Sequence, residues 1–435
     1  MNILDRYFRI TDNGSNVRTE VLAGLSTYLS LAYIFVLNPA ILHSAGMSTG
    51  AVLFATIIAS GLSTLLMGLW ARLPFALAPG LEMNGFFAFT VCGTMGLSWQ
   101  AALGAVFWSG LLCILFTWIP ARGRIIDSIP NTLKANIAVA VGVFVFTIGL
   151  FLAKIAIFDN GFPKGVGSFT SPQAIALYIG LAVSVILGHP KLKFPGGMLV
   201  AIIVAAVYCK TQGIVATTPA AERQDWLSAF CQLDLWAIFT QIKLLPVFLV
   251  LFLIDFYGSI GKFIGLTAAT GIQKDGQVRD MGKAMYVDGI GTVGGAVLGT
   301  SSIITYVESA VGIGTGGRTG LVSVVTGVLM LCSLAFSSLV GLIPVEATAG
   351  VLVYVGWLLL PRQQWAAGMF HRFDIATAVI MGLLCLAFFN LSWAMLAGFV
   401  LYTVKHVFSS EHKDAYLIGS TIVLALSVIL QQVMK

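Results

Sequence analysis

Glu82, Asp255, Lys262 and Glu308 are charged side chains set inside long apolar runs, with Lys154 a marginal fifth. A carboxylate can accept hydrogen bonds from N–H groups and exchange protons, and an amine can neutralise it or grip an anion. If those runs cross a bilayer, each such charge near its centre costs about 2.5–3.5 kcal/mol even on a lenient insertion scale. Four of them cost roughly 10–14 kcal/mol, comparable to the stability of a whole domain. A function explains that cost; mutual pairing is the competing explanation.

Glu308, in the stretch TYVESA, is the strongest candidate. A carboxyl there can accept from ring N–H groups and, once buried, trade a proton near neutral pH. Asp255 and Lys262 are seven residues apart, two helical turns, and so share a face. They read either as a structural ion pair or as gating and coupling groups. Glu82 follows the Pro79-Gly80 break and is a candidate to line a cavity.

The elements that must position these groups are poor continuous helices. The stretch 74–95 contains LPFALAPGLEMNGFFAF, with Pro74 and Pro79-Gly80 in mid-run. The stretch 294–317, GGAVLGTSSIITYVESAVGIGTGG, is rich in Gly, Ser and Thr, with β-branched Ile303, Ile304 and Thr305. Proline removes a helix donor and glycine loosens the backbone. Irregular backbone at membrane depth is tolerated where it is buried in protein or lines a cavity. Both stretches therefore predict extended segments feeding half-helices, whose free N–H groups can bind acceptors on a polar ligand. Close packing of small residues explains the glycines equally well, but not the carboxylate that each stretch also carries.

Composition sets the wider class. Of 435 residues only 10% are charged and 58% are hydrophobic, with 47 glycines. An ordinary soluble domain has roughly 25% and 45–50%. The mean hydropathy is +0.94. These values exclude a water-soluble enzyme, a disordered chain and a nucleic-acid binder, and the net charge of +6 comes without a basic cluster. Six scattered cysteines show no CxxC spacing, so neither a disulfide framework nor a zinc site is expected. Five histidines lie at span ends or in loops, and HExxH, GxSxG and phosphate-loop motifs are absent, so no enzyme chemistry, metal or cofactor is expected. No cleavable signal is visible in the polar first 20 residues.

Apolar runs read as spans near 21–42, 50–70, 74–95, 98–120, 133–153, 172–188 and 194–210, then near 244–269, 284–300, 302–316, 320–343, 346–360, 374–405 and 415–433. At about 20 residues per span this is an all-α polytopic membrane protein of about 14 spans. The run 374–405 reads as one broken span or two short ones meeting at Asn390-Leu391-Ser392, and the polar stretch 211–243 reads as a hinge between halves. With the N-terminus inside, fourteen basic residues up to position 372 fall inside, Arg72, Arg122, Arg124, Lys191, Lys193, Lys274, Arg279, Lys283, Arg318, Arg362 and Arg372 among them; five fall outside. The bias places the N-terminus in the cytoplasm. IPNTLKANIAVAVG, from Ile129 to Gly142, echoes IPVEATAGVLVYVG, from Ile343 to Gly356. Two halves of seven spans each must be inverted relative to one another, the plan of secondary transporters with a midplane site on interrupted helices.

ALAPGLEMNGFFAF, VRTEVLAGLSTYLSLAYI and GTSSIITYVESAVGIGTGGRTGL resemble the nucleobase–cation symporters, in the adenine/guanine/hypoxanthine permease branch. The likeness runs from about Tyr7 to the end of the chain. It implies two inverted sevens, as in uracil permease, with short antiparallel strands before the half-helices of spans 3 and 10. It also implies a core domain, 1–124 and 244–343, and a gate domain, 125–243 and 344–435, with the substrate between them and a homodimer through the gate. Proton-driven purine import across a bacterial inner membrane, with no other cofactor, is the implied activity. By position, Glu308 matches the family's substrate-binding glutamate and Asp255 an acidic residue of span 8. Asn84, Phe86 and Phe87 match the element beside the base, and Thr305 joins the substrate-binding set.

Two departures stand out. Gly258 occupies the place of a second span-8 carboxylate and Lys262 that of a hydroxyl residue, while Glu82 stands where a small residue is usual. Glu82 is therefore a candidate replacement for the missing carboxylate, with Lys262 or Asp255 adjusting its charge. An independent Glu82–Lys262 ion pair is the alternative. Other cargo, such as another planar heterocycle or an organic anion held by Lys262, and an uncoupled facilitator or channel remain alternative functions.

Overall fold

The computed structural model describes residues 3–118, 130–159, 162–189, 192, 194–214, 225–268, 273–274, 277–278, 280–340, 342–360, 368, 370–409 and 415–433. Ile129, hinge residues 215–224 and the loop residues Arg122, Arg124, Lys191, Lys193, Arg279 and Arg362 lie outside them. Among the described residues, six helical stretches are long and apolar enough to cross a membrane, and five shorter apolar helices accompany them.

The first half runs α1 (Val17–Leu31), α2 (Ile34–His43), α3 (Thr49–Leu66), strand β1 (Leu77–Pro79), α4 (Leu81–Gly85), α5 (Trp99–Trp118) and α6 (Asn131–Leu152). A surface hairpin, β2 (Ala156–Asp159) with β3 (Phe162–Val166), then leads to α7 (Pro172–Leu187) and α8 (Gly197–Thr211). The second half has α9 (Leu244–Ala268), α10 (Met281–Leu298), β4 (Ile303–Thr305), α11 (Ser309–Gly314) and α12 (Gly320–Cys332). It ends with α13 (Ala349–Leu358), α14 (Arg372–Phe388), α15 (Leu391–Ser409) and α16 (Ala415–Val433). The run 374–405 is thus two helices. Phe389 takes a left-handed φ of 44°, and Asn390 Oδ1 accepts from the Ser392 amide at 2.8 Å to start α15.

At the centre, β1 and β4 pair antiparallel, Leu77 opposite Thr305 and Pro79 opposite Ile303. Three-residue strands buried in an apolar body leave edge groups that water cannot reach, so side chains must satisfy them. The Thr64 hydroxyl of α3 meets both the amide and the carbonyl of Leu77, Ser323 of α12 donates to the Leu73 and Phe75 carbonyls, and Ser309 accepts from the Ala76 amide. The serines and threonines of these apolar helices are therefore the partners of the broken spans.

The other join is made by Glu20 of α1, which is fully buried. It accepts from the amides of Arg318 and Thr319 and from the Thr319 hydroxyl, at 2.9, 3.1 and 2.7 Å, and so caps the start of α12. Removing it orphans three donors, and hydrogen bonds to a charged acceptor contribute about 1.5–3 kcal/mol each. Glu20→Ala is expected to destabilise the protein by about 3 kcal/mol. A drop in melting temperature of the detergent-purified protein, smaller for Glu20→Gln, checks this.

The two glycines of the echoed sequence meet one another. A Cβ built on Gly142 comes 2.7 Å from the Gly356 carbonyl, and one on Gly356 comes 2.5 Å from that of Gly142. Seven residues on, Gly149 meets the Ala349 carbonyl, seven residues back from Gly356, so α6 and α13 run antiparallel in close backbone contact.

Candidate functional site

The break between α1 and α2 places Tyr33 in the interior, where its hydroxyl donates to Glu308 Oε1 at 2.6 Å. Glu308 stands at the start of α11, and its Oε2 receives no hydrogen bond. Glu82 lies in the first turn of α4, and Lys262 of α9 donates to its Oε1 at 3.2 Å. All four side chains line one narrow cavity of about 20 Å³, facing Val355 and Leu359 from the α13 end of the other wall. One carboxylate is held by an amine; the other offers a free oxygen.

Strand alternation sorts the residues around Glu308. Ile304 and Tyr306 line the cavity, and the Tyr306 hydroxyl donates to the Pro79 carbonyl. Successive side chains of a strand point to opposite faces. Thr305 accordingly turns away and donates to Asp288 Oδ1 at 3.4 Å. Helical spacing does the same for span 3, because residues two apart do not share a face. Asn84 is buried beside the wall, with its Oδ1 accepting from Ser301. Phe86 and Phe87 are fully buried in the apolar core and do not line the cavity.

Asp255 is also off the wall, hydrogen-bonded to Thr292 of α10 at 3.0 Å. Lys262 bonds Glu82 from another span instead of pairing with Asp255 along its own helix. A Cβ built on Gly258 meets nothing within 4 Å, so the position of the absent carboxylate opens onto free space one turn from Lys262. Asp288, inside the apolar run 284–300, adds an in-span carboxyl that the sequence reading passed over; the signal was the same as for Asp255. Tyr33 carried no such signal, being one aromatic in an apolar run. Among the described residues no cluster of three metal-ligating side chains occurs.

A bundle of apolar helices with paired strands and an ionisable interior cavity defines a polytopic membrane transporter. The chain belongs to the nucleobase–cation symporter family: the sequence pattern of the Permease family matches residues 18–361. It is 34% identical over 422 residues to the adenine permease AdeP of Escherichia coli strain K12, covering 95% of this chain and 92% of that protein. To the guanine/hypoxanthine permease GhxP of Escherichia coli O157:H7 it is 31% identical over 439 residues, covering 98% and 96%. The fold is similar to the transmembrane domain of the cyanobacterial bicarbonate transporter BicA, with a TM-score of 0.64 at 15% identity over 88% of this chain and 97% of that one.

Proposed function

We propose that this protein imports a purine nucleobase together with protons by alternating access, holding the base in the cavity between Glu308 and the Glu82–Lys262 pair. The observation that carries the reading is Glu308 itself. Its Oε1 is fixed by Tyr33, which leaves Oε2 to accept a ring N–H beside the apolar side chains of Leu81, Ile304, Val355 and Leu359. Buried polar atoms without partners are costly, so a ligand that supplies the missing donor is selected over one that does not. Relatives named for adenine and for guanine/hypoxanthine favour a purine over other planar heterocycles.

A cavity of about 20 Å³ has room for about one water molecule, not for a bicyclic base. Substrate entry therefore requires the two walls to part. One wall is built on β1, β4 and their half-helices; the other belongs to α13, which packs closely on α6. On this reading the first wall belongs to a core of residues 1–124 and 244–343, and the second to a gate of 125–243 and 344–435, related by inverted seven-span repeats. Rocking of gate against core exposes the site alternately to either side. On this reading the excess of basic residues in alternate loops sets the N-terminus in the cytoplasm, while residence in the inner membrane and a gate-to-gate homodimer follow from the family resemblance.

Competition among adenine, guanine, hypoxanthine, xanthine and uracil for uptake into reconstituted vesicles tests the cargo. At least one of adenine, guanine and hypoxanthine is expected to block uptake at about tenfold lower concentration than uracil does. Equal competition by uracil, or by a simple organic anion, would sink the purine reading.

A further inference from the structure

A second buried acid cluster sits next to the cavity. Asp255 of α9 and Asp288 of α10 are 1% and 4% exposed, and crossed hydrogen bonds bring them together: Thr292, one turn on from Asp288, bonds Asp255, and Ser259, one turn on from Asp255, bonds Asp288. Three hydroxyls surround them: Thr292 at Asp255 Oδ2, and Ser259 and Thr305 at the two oxygens of Asp288. Asp255 Oδ1 receives no hydrogen bond. Lys262, two turns on from Asp255 along α9, has its ammonium bonded to Glu82.

The hydrogen count is one short. Thr292 Oγ1 lies 3.0 Å from Asp255 Oδ2 and 3.1 Å from the carbonyl of Ile303 in β4. A hydroxyl has one proton, so beside an ionised Asp255 it can only be split between the two acceptors in a weaker three-centre bond. A proton on Asp255 resolves this: the acid donates to Thr292, and Thr292 donates to Ile303. It also removes the repulsion between two adjacent buried carboxylates. When the proton leaves, the Thr292 hydrogen is drawn toward the Asp255 carboxylate, and its bond to the Ile303 carbonyl weakens.

We propose that Asp255 and Asp288 form a second proton site, sharing one proton, whose occupancy sets the Thr292 hydroxyl and through it the seat of β4, the strand that leads into Glu308. This deepens the proton-coupled reading above, and its first test does not depend on transport. In infrared difference spectra of purified protein across a pH step, the C=O stretch of a protonated acid is expected in the native chain and in Glu308→Gln. It is expected to disappear in Asp255→Asn and to persist at a shifted frequency in Asp288→Asn, where Asp255 keeps the proton alone. The same band in both aspartate variants would overturn the proposal. Should Asp288→Asn fail to reach the membrane, Asp255→Asn and Ser259→Ala give the same reading, the latter shifting the band without removing it. In vesicles, Asp288→Asn is expected to carry one fewer proton per base; an unchanged proton count would overturn the site's role in coupling. Absence of any base-driven proton movement in the native protein would instead remove the symport reading, leaving the infrared result to decide the site.

Discussion

Glu308→Gln is expected to lose concentrative purine uptake by about 100-fold or more while still reaching the membrane. A charge-assisted hydrogen bond to a carboxylate contributes about 1.5–3 kcal/mol, and each 1.4 kcal/mol is tenfold in affinity, so one or two such bonds to ring N–H groups give this range. The amide keeps one acceptor but presents an NH₂ group where the free Oε2 now points, and it cannot exchange a proton. Tyr33 can still donate to the amide oxygen, so the local structure survives. Tyr33→Phe separates the two effects: it frees Glu308 to rotate, weakening purine binding by about tenfold without abolishing proton exchange. Radiolabelled uptake and equilibrium binding on the same preparations check both.

Lys262→Gln is expected to be worse than Glu82→Gln for folding, because it leaves Glu82 buried beside Glu308 with no cation. Breaking a buried ion pair from one side costs about 3–5 kcal/mol, whereas removing both partners is often near neutral. The double variant Glu82→Gln/Lys262→Gln therefore regains the yield and melting temperature lost in Lys262→Gln. What it does to uptake separates the two readings of the pair. If Glu82 stands in for the carboxylate that Gly258 lacks, the double variant folds but transports at least tenfold more slowly, as does Glu82→Gln alone. Adding Gly258→Asp, whose side chain enters open space, then restores part of the rate. Native uptake by the double variant would make the pair purely structural.

The charged residues that line the cavity were legible because an apolar run makes a carboxylate conspicuous, and the Pro79-Gly80 break marked where regular helix had to stop. The strands followed from the same physics, since β-branched Ile303, Ile304 and Thr305 sit where helix is weakest. Spacing along one helix, however, fixes a face and not a partner. Asp255 and Lys262 share a face, yet Lys262 finds Glu82, 180 positions earlier in the sequence, and Asp255 bonds Thr292 on the helix that also carries Asp288. Helical rotation turns Asn84 and Phe87 off the Glu82 face, whereas Phe86, four residues on, shares that face but lies a turn further along, buried in the core. Tyr33 was not legible as a site residue, because one aromatic in an apolar run carries no sign of Glu308, the partner it meets 275 positions later. Thr305 is a case of right segment and opposite face.

The central claim is that the free oxygen of Glu308 receives the substrate. A cryo-EM structure of the protein with adenine, guanine or hypoxanthine bound tests it most directly. The expected density is a planar ring between the Glu82–Lys262 pair and the Val355–Leu359 wall, with a ring nitrogen about 2.8–3.0 Å from the Glu308 carboxylate. A ring bound elsewhere, with Glu308 still joined to Tyr33 alone, would contradict it.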